Sequence, residues 1–244
     1  MKFVADLHTH TLFSDHAFNT ATEMITQAQK LGLRCIAITD HGPAMPDSGH
    51  HWHFMNKGQL PKKIGDMIVM FGIEADVMNI DGEFDISDGY LSNLDWVIAS
   101  IHKDMIPQLS FEEATQLWLN VAYNPYVDMI GHCEQVEHFF DYEKVVPVFA
   151  KNNKVVEINV NSAIVRPTGQ KNMEELAKVC KKYGCKIAVN SDAHSIYTIG
   201  QTGNVPEMLR RIDFPQELIV NASYENLVNE LKLHDKKFLN LIEV

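Results

Sequence analysis

The sequence predicts a single α/β domain in which seven parallel strands close into a barrel. Three observations predict it. Seven short β-branched or apolar runs are expected as strands at Lys2–Ala5, Arg34–Thr39, Met67–Ile73, Trp96–Ile101, Tyr126–Ile130, Val155–Val160 and Lys186–Val189, and their starts lie 29 to 33 residues apart. A strand, a crossover helix and the return to a parallel neighbour take about 30 residues. Helix start and stop signals fall between several of the runs, and no linker-like stretch divides residues 1–244. Consecutive right-handed units either open into a doubly wound sheet or close on themselves, and seven in register favour closure.

The elements follow in order. After the first run, Thr20-Ala21-Thr22-Glu23 forms a capping box, in which hydroxyl and carboxylate each satisfy a free backbone N–H. Met24, Ala28 and Leu31 then precede Gly32, a helix stop. Ser110-Phe111-Glu112-Glu113 repeats the device ahead of Leu117, Trp118 and Val121. Asn172 to Glu175 opens another helix, with Leu176, Val179, Cys180 and Tyr183 on one face and Gly184 closing it. Such stripes pack against the core. Two stretches, 40–61 and 72–92, are richer in Gly, Asp and Pro and are expected as long loops on the functional rim. Beyond Val189 the chain is expected to form a helix over Asn204–Arg211, a possible eighth strand at Leu218–Val220 and a terminal helix over Ser223–Leu233.

Composition narrows the function. With 244 residues, 45% of them hydrophobic and 22% charged, the chain has material for one full core. Its 21 Lys and Arg against 32 Asp and Glu give a net charge of −11, a surface that repels a phosphate backbone, so no nucleic acid is expected as a partner. No run reaches the ~18 apolar residues of a membrane span, and Asp6 interrupts the start before a signal-peptide core could form. The expectation is a soluble, cytoplasmic protein with no membrane partner; the oligomeric state is not legible. Cys35, Cys133, Cys180 and Cys185 are expected as buried free thiols. A Cys180–Cys185 zinc half-site lacks a second cysteine pair to complete it.

Position distinguishes the twelve histidines. His8 and His10 follow the first expected strand, His41 the second, Glu74 the third, His102 the fourth, His132 the fifth, and Asp192 with His194 the seventh. In a parallel barrel these strand ends converge on one face. Burying so many imidazoles and carboxylates together without a cation would leave polar groups unpaired. His8-Thr9-His10 at a strand end can grip one ion with two imidazoles, because alternate residues point the same way.

These segments resemble the PHP (polymerase and histidinol phosphatase) metallohydrolases, in particular the YcdX-type phosphatases. The resemblance rests on Asp6-Leu7-His8-Thr9-His10, His16, the stretch Ala37-Ile38-Thr39-Asp40-His41-Gly42-Pro43-Ala44-Met45, His50-His51-Trp52-His53-Phe54, Gly72-Ile73-Glu74-Ala75 and Ser191-Asp192-Ala193-His194. It implies a distorted (β/α)7 barrel and a trinuclear metal site. Glu74 would bridge two ions, with His8, His10 and Asp192 completing the first and His102 and His132 the second. His16, His41 and His194 would hold the third. Cys133 stands where the family usually has Pro after the equivalent of His132.

Phosphate-ester hydrolysis has one of the highest uncatalysed barriers known, and charge stabilisation is the direct means of lowering it. Cations ~3.5–4 Å apart can share a hydroxide, the expected nucleophile, while a neighbouring ion polarises the phosphoryl oxygens. The histidine-rich ligand set points to zinc first, with manganese or iron as alternatives to an all-oxygen magnesium or calcium site. Glu74, Asp192 and His194 are the expected catalytic residues. Arg166 and His51 are the expected substrate contacts, with Lys103 a further basic residue near a strand end. Asp6 and Asp40 are candidates to orient an imidazole N–H or to cap a turn, and Asn159, Asn161 and Ser162 to line the pocket. The expected activity is hydrolysis of a small phosphorylated substrate, a phosphomonoester. Three other readings stay open: an amidohydrolase or deaminase, a nuclease-type phosphodiesterase of the same family, and a non-enzymatic metal sensor.

Overall fold

Strands and helices alternate along the chain as β1 (Ala5–Thr9), α1 (Ala21–Lys30), β2 (Cys35–Ile38), β3 (Lys63–Ile64), β4 (Met67–Phe71), β5 (Ile73–Asp76), α2 (Asp88–Leu91) and β6 (Val97–Ser100). They continue as α3 (Phe111–Ala122), β7 (Met129–Ile130), α4 (Tyr142–Lys151), β8 (Val155–Asn159), α5 (Val160–Val165), α6 (Gly169–Tyr183), β9 (Ile187–Asn190), α7 (Val205–Arg211) and α8 (Tyr224–Leu233). The structure, a computed structural model, describes residues 1–103, 105–135, 138–165 and 169–242.

One sheet has the order β1-β2-β4-β3, with only β3 antiparallel, and the other is the all-parallel β5-β6-β7-β8-β9. The ladders are not continuous, but backbone bonds cross both seams. His10 N–H donates to Ala193 O (2.8 Å), joining the end of β1 to the chain beyond β9. Glu74 N–H donates to Asp40 O (3.0 Å) and Gly42 N–H to Glu74 O (2.8 Å), joining β5 to the chain beyond β2. Since β4 and β5 are one run broken at Gly72, the ring has seven places, the distorted barrel expected from the sequence.

Alternation along the strands produces two apolar layers. Leu7, Ala37, Met70, Ile98, Met129 and Ala188 fill the ring, together with Leu227 and Leu231 of α8 and Phe238 and Leu239 beyond it, which cover its floor. The outer faces of the same strands, including Ile36, Val69, Val97, Val156 and Ile187, pack on the helices through Met24, Leu117, Trp118, Val145 and Leu176. Both expected capping boxes form, at Thr20 with Glu23 and at Ser110 with Glu113. All four cysteines are buried free thiols.

Several boundaries differ from expectation. The first strand is Ala5–Thr9 rather than Lys2–Ala5, because its polar residues are buried in the ring instead of leaving it. The third run breaks at Gly72, where an added Cβ would lie 2.1 Å from Trp96 O, and the stretch expected as a loop from residue 72 begins as β5. Lys154 Nζ donates to the carbonyls of Asn124 (2.6 Å) and Val127 (2.7 Å), which shortens the fifth run to β7. Leu218–Val220 is no eighth strand: two three-residue turns replace it, with a single bridge from Ile219 to Ile187. The helix expected from Asn172 starts earlier, at Gly169.

Candidate metal centre

Two backbone devices aim the first histidines. β1 pairs with β2 through Asp6 and Ile36, then through Thr9 and Ile38, so two residues of β1 oppose one of β2. Such a bulge resets the alternation of side chains. Leu7 therefore fills the apolar layer while His8 and His10 both point into the mouth. Opposite them, β5 presents Glu74 from the inner position two residues past Gly72.

Glu74 is fully buried and is the hub of the cluster. Its Oε1 accepts from Ser100 Oγ (2.7 Å) and His132 Nε2 (2.8 Å), with His102 Nε2 at 3.5 Å. Its Oε2 faces His41 Nδ1 (2.9 Å), His8 Nε2 (3.2 Å) and His10 Nε2 (3.4 Å). Asp192 Oδ1 lies 3.2 Å from His10 Nε2 and 3.6 Å from His8 Nε2. The His194 ring stacks 4.3 Å from His10 and 4.4 Å from His16. His16 stands at the outer edge, its side chain 50% exposed and its Nδ1 bonded to Asp47. All nine expected ligands thus meet at one mouth.

The donor set fits metal ions. His8 Nε2, both ring nitrogens of His10, His41 Nδ1, Glu74 Oε2 and His194 Nε2 are buried with no hydrogen-bond partner among the described residues. Buried orphans of this kind are costly unless something else satisfies them. Their spacing, 3.2–3.6 Å around His8, His10 and Asp192, matches the ~3.4 Å edge of a tetrahedron of ~2.1 Å metal–ligand bonds. Donor atoms gather in three groups: His8, His10 and Glu74; His10, His41 and His194; and His41, Glu74 and His102. This differs in detail from the expected sets, since His10 and His41 each belong to two groups.

Charge in the cluster points the same way. Burial would raise the pKa of Glu74, but His8, His102, His41 and the bond from His132 hold it well below the usual carboxylate range. Burial is likewise outweighed at Asp192 by His8 and His10. His10 is pushed down to about 3 by burial and by His41, so it is a neutral donor. His102 is driven up to about 9, because Glu74 and Asp76 overcome its burial, and His8 is raised by Glu157, Glu74 and Asp192 against its burial. The ionised carboxylates draw on to these imidazoles the positive charge that cations would supply.

Two expected ligands carry strained backbone, with φ of 25° at His132 and 53° at Asp192. Residues held there cost about 1–3 kcal/mol each and gather at functional sites. His132 N–H donates to Glu157 Oε2 (2.9 Å), which pins the first of these turns.

The sixth strand was expected to carry no ligand, and its contribution was missed. Glu157 of β8 faces inward, and its Oε1 accepts from His8 Nδ1 (2.8 Å), leaving Nε2 toward Glu74. Asp76 Oδ1 does the same for His102 Nδ1 (2.6 Å). The legible signal was a charged residue inside the apolar run Val155-Val156-Glu157-Ile158, which ordinary strand packing does not bury. Asp6 and Asp40 hold turns instead of ligand imidazoles. Asp6 accepts from Ser191 and from Gly200 N–H (2.8 Å), and Asp40 from Thr11 N–H (2.6 Å) and Ser14 Oγ (3.0 Å). Asn159 Nδ2 donates to Asp192 Oδ2 (3.2 Å), and Asn161 lines a cleft beside it.

Of the expected substrate contacts, His51 is not drawn into the cluster. His51 begins a 3-10 turn and leans on His50 (4.1 Å) and edge-on to Tyr90 (5.7 Å). His53 stacks on Phe13 (3.8 Å). Lys103 is exposed, and Arg166 lies outside the described residues. Cys133 packs into the outer apolar layer, where burial first and then Glu134 and Glu157 raise its thiol, so it is a protonated neighbour of the cluster.

A model of the PHP domain matches residues 6–161, more than half of the chain. The chain belongs to the PHP family. Asp192 and His194 fall beyond that match, but full-length relatives of this PHP protein extend across them. A protein named probable phosphatase from Caldicellulosiruptor bescii is 41% identical, covering 97% of this chain and 98% of its own length. Another of that name from Acetivibrio thermocellus is 38% identical over 95% of this chain and 96% of its own. Among solved structures, histidinol phosphate phosphatase from Lactococcus lactis, complexed with zinc, L-histidinol and phosphate, has a TM-score of 0.60 at 18% identity, covering 88% of this chain and 95% of that one. At that identity the likeness is one of fold.

Proposed function

We propose that this PHP protein hydrolyses small phosphomonoesters at a cluster of three divalent metal ions, zinc in first place and manganese or iron as alternatives. The chain is a phosphatase, a reading supported by relatives of that name at 38% and 41% identity over nearly its whole length. The observation that carries the finer reading is the convergence of three buried, unsatisfied imidazole nitrogens, from His8, His10 and His41, on Oε2 of Glu74, itself without a hydrogen-bond partner among the described residues.

His8, His10, Asp192 and Glu74 would hold one ion, His102, His132 and Glu74 a second, and His16, His41 and His194 a third, with His10 and His41 near enough to be shared. Bound divalent ions supply Lewis acidity, which polarises phosphoryl oxygens and makes water acidic enough to deprotonate near pH 7. Glu74 contributes by presenting one oxygen to each side of the cluster. Ser100 and the orienting carboxylates Glu157 and Asp76 keep the donors aimed inward. Asp192, His102, His194 and His16 form the accessible edge, with side chains 11%, 17%, 21% and 50% exposed, and the phosphoryl group would enter on the side of Asp192, His194 and His16. Arg166, which follows Val165 in sequence, is proposed as a phosphate contact.

The test is a phosphate-release screen over small phosphomonoesters with metal-loaded protein. His8→Ala and Glu74→Ala are each expected to lower kcat/KM by at least about a thousandfold, a loss of several kcal/mol of transition-state stabilisation. A folded, metal-loaded protein inert toward the whole panel would overturn the proposal.

A further inference from the structure

Most of the cluster is sealed. His8, His10 and Glu74 are fully buried, and the accessible candidate ligands are His16, His194, His102 and Asp192, of which His16, Asp192 and His194 face one cleft. Those three side chains form one wall of a cleft of about 380 Å³. Its other apolar walls are Phe18, Val160 and Ile164, and the remaining lining is neutral: Asn161, Thr198, Gln201 and two serines. Among the described residues the cleft therefore has no ionisable side chain beyond the three candidate ligands.

Phe18 and Ile164 are 77% and 70% exposed, large apolar surface with no packing role to explain it. Both are tied to the cluster, Phe18 by backbone and Ile164 through the side chain of Asn159. Phe18 N–H donates to His194 O (2.9 Å). Helix α5, which carries Ile164, starts directly after Asn159, whose Nδ2 donates to Asp192 Oδ2 and whose Oδ1 accepts from Ser162 N–H (2.9 Å). The apolar walls thus keep a fixed position relative to the ions' accessible edge.

Resting on the phosphatase reading above, we infer that this cleft is the leaving-group subsite, and that it selects monoesters of uncharged alcohols with an apolar or aromatic body. A phosphoryl group held beside His16, Asp192 and His194 would project its ester oxygen into this cleft. A cavity of ~150 Å³ admits benzene, so one ring with substituents fits the available space. With Arg166 engaged by the phosphoryl group as proposed above, a leaving group carrying a carboxylate, a second phosphate or an ammonium would lose hydration there and find no further charged partner among the described lining residues beyond the candidate ligands.

The test pairs binding with turnover on metal-loaded protein. Benzylphosphonate is expected to bind about tenfold more tightly than methylphosphonate, the gain from covering one ring. Benzyl phosphate is expected to exceed O-phosphoserine by at least about tenfold in kcat/KM, since rejecting an unpaired charge is the stronger discrimination. Ile164→Asp, on an exposed helix face, is expected to abolish the benzyl-to-methyl preference in binding. Equal phosphonate affinities, or preference for the charged ester, would overturn the inference and leave the phosphatase reading intact. Retained benzyl preference with no turnover of any ester would sustain the cleft assignment and sink the phosphatase reading.

Discussion

Glu157 is the residue on which the orientation of His8 depends. Its carboxylate accepts from His8 Nδ1, from His132 N–H and from the amides of Asn159 and Asn190, so one buried side chain aligns two strand ends. Partners that fix the tautomer and angle of a ligating imidazole are typically worth 10–100-fold in metal affinity. Glu157→Gln keeps the shape and removes the charge, and it is expected to weaken metal binding by about tenfold or more in competition with a chelator. Unchanged affinity would show that Glu157 is only packing. Eight of the nine candidate ligands were legible because each sits at or beside the end of an expected strand, and His16 came only with the family resemblance. Their orienting partners were not: Glu157 lies inside a strand, Asp76 ends β5 in a stretch expected as a loop, and only the ring brings β8 across from β1. Asp6 and Asp40 illustrate the converse, since adjacency in sequence to a histidine placed neither on a ligand ring.

Among the elements, the broken run β4–β5 matters most, since it pairs with β2 on one side of Gly72 and with β6 on the other. Gly72 is required by contact: a Cβ there would meet the Trp96 carbonyl, a backbone group with no freedom to withdraw. Gly72→Ala is expected to cost at least about 2 kcal/mol and lower Tm by about 5 °C or more. It should also reduce bound metal, because Glu74 is two residues away. Gly58→Ala is the matched control, with nothing within 4 Å of the added carbon, and should leave both unchanged in thermal denaturation and elemental analysis. The interval between strands was readable because connection length is a geometric requirement. The break at Gly72 and the bulge in β1 were not, because both answer contacts with strands distant in sequence.

Across the whole molecule, a polar mouth and a plugged floor occupy opposite ends of one ring. At the floor, His234 beyond α8 reaches Asp128 Oδ1 (2.9 Å) and Glu230 Oε1 (3.1 Å), and Lys236 Nζ reaches Asp128 Oδ2 (2.5 Å). Burial lowers the pKa of His234, but the two carboxylates raise it by more, so it ends above its ordinary 6.5. A group raised on folding stabilises most below its unfolded pKa and loses that contribution as pH rises through the folded value. His234→Gln is therefore expected to lower Tm by about 3–6 °C at pH 6, with the difference from the parent shrinking toward pH 9. A pH-independent difference in thermal melts would contradict a charged His234. At the mouth, nine side chains from both sheets and their connecting loops are proposed to hold ions. Elemental analysis of the purified protein, set beside Glu74→Ala, tests that most directly. About three equivalents of transition metal per chain are expected, with the variant retaining at most one; less than one equivalent in the parent, or the same content in both, would contradict it.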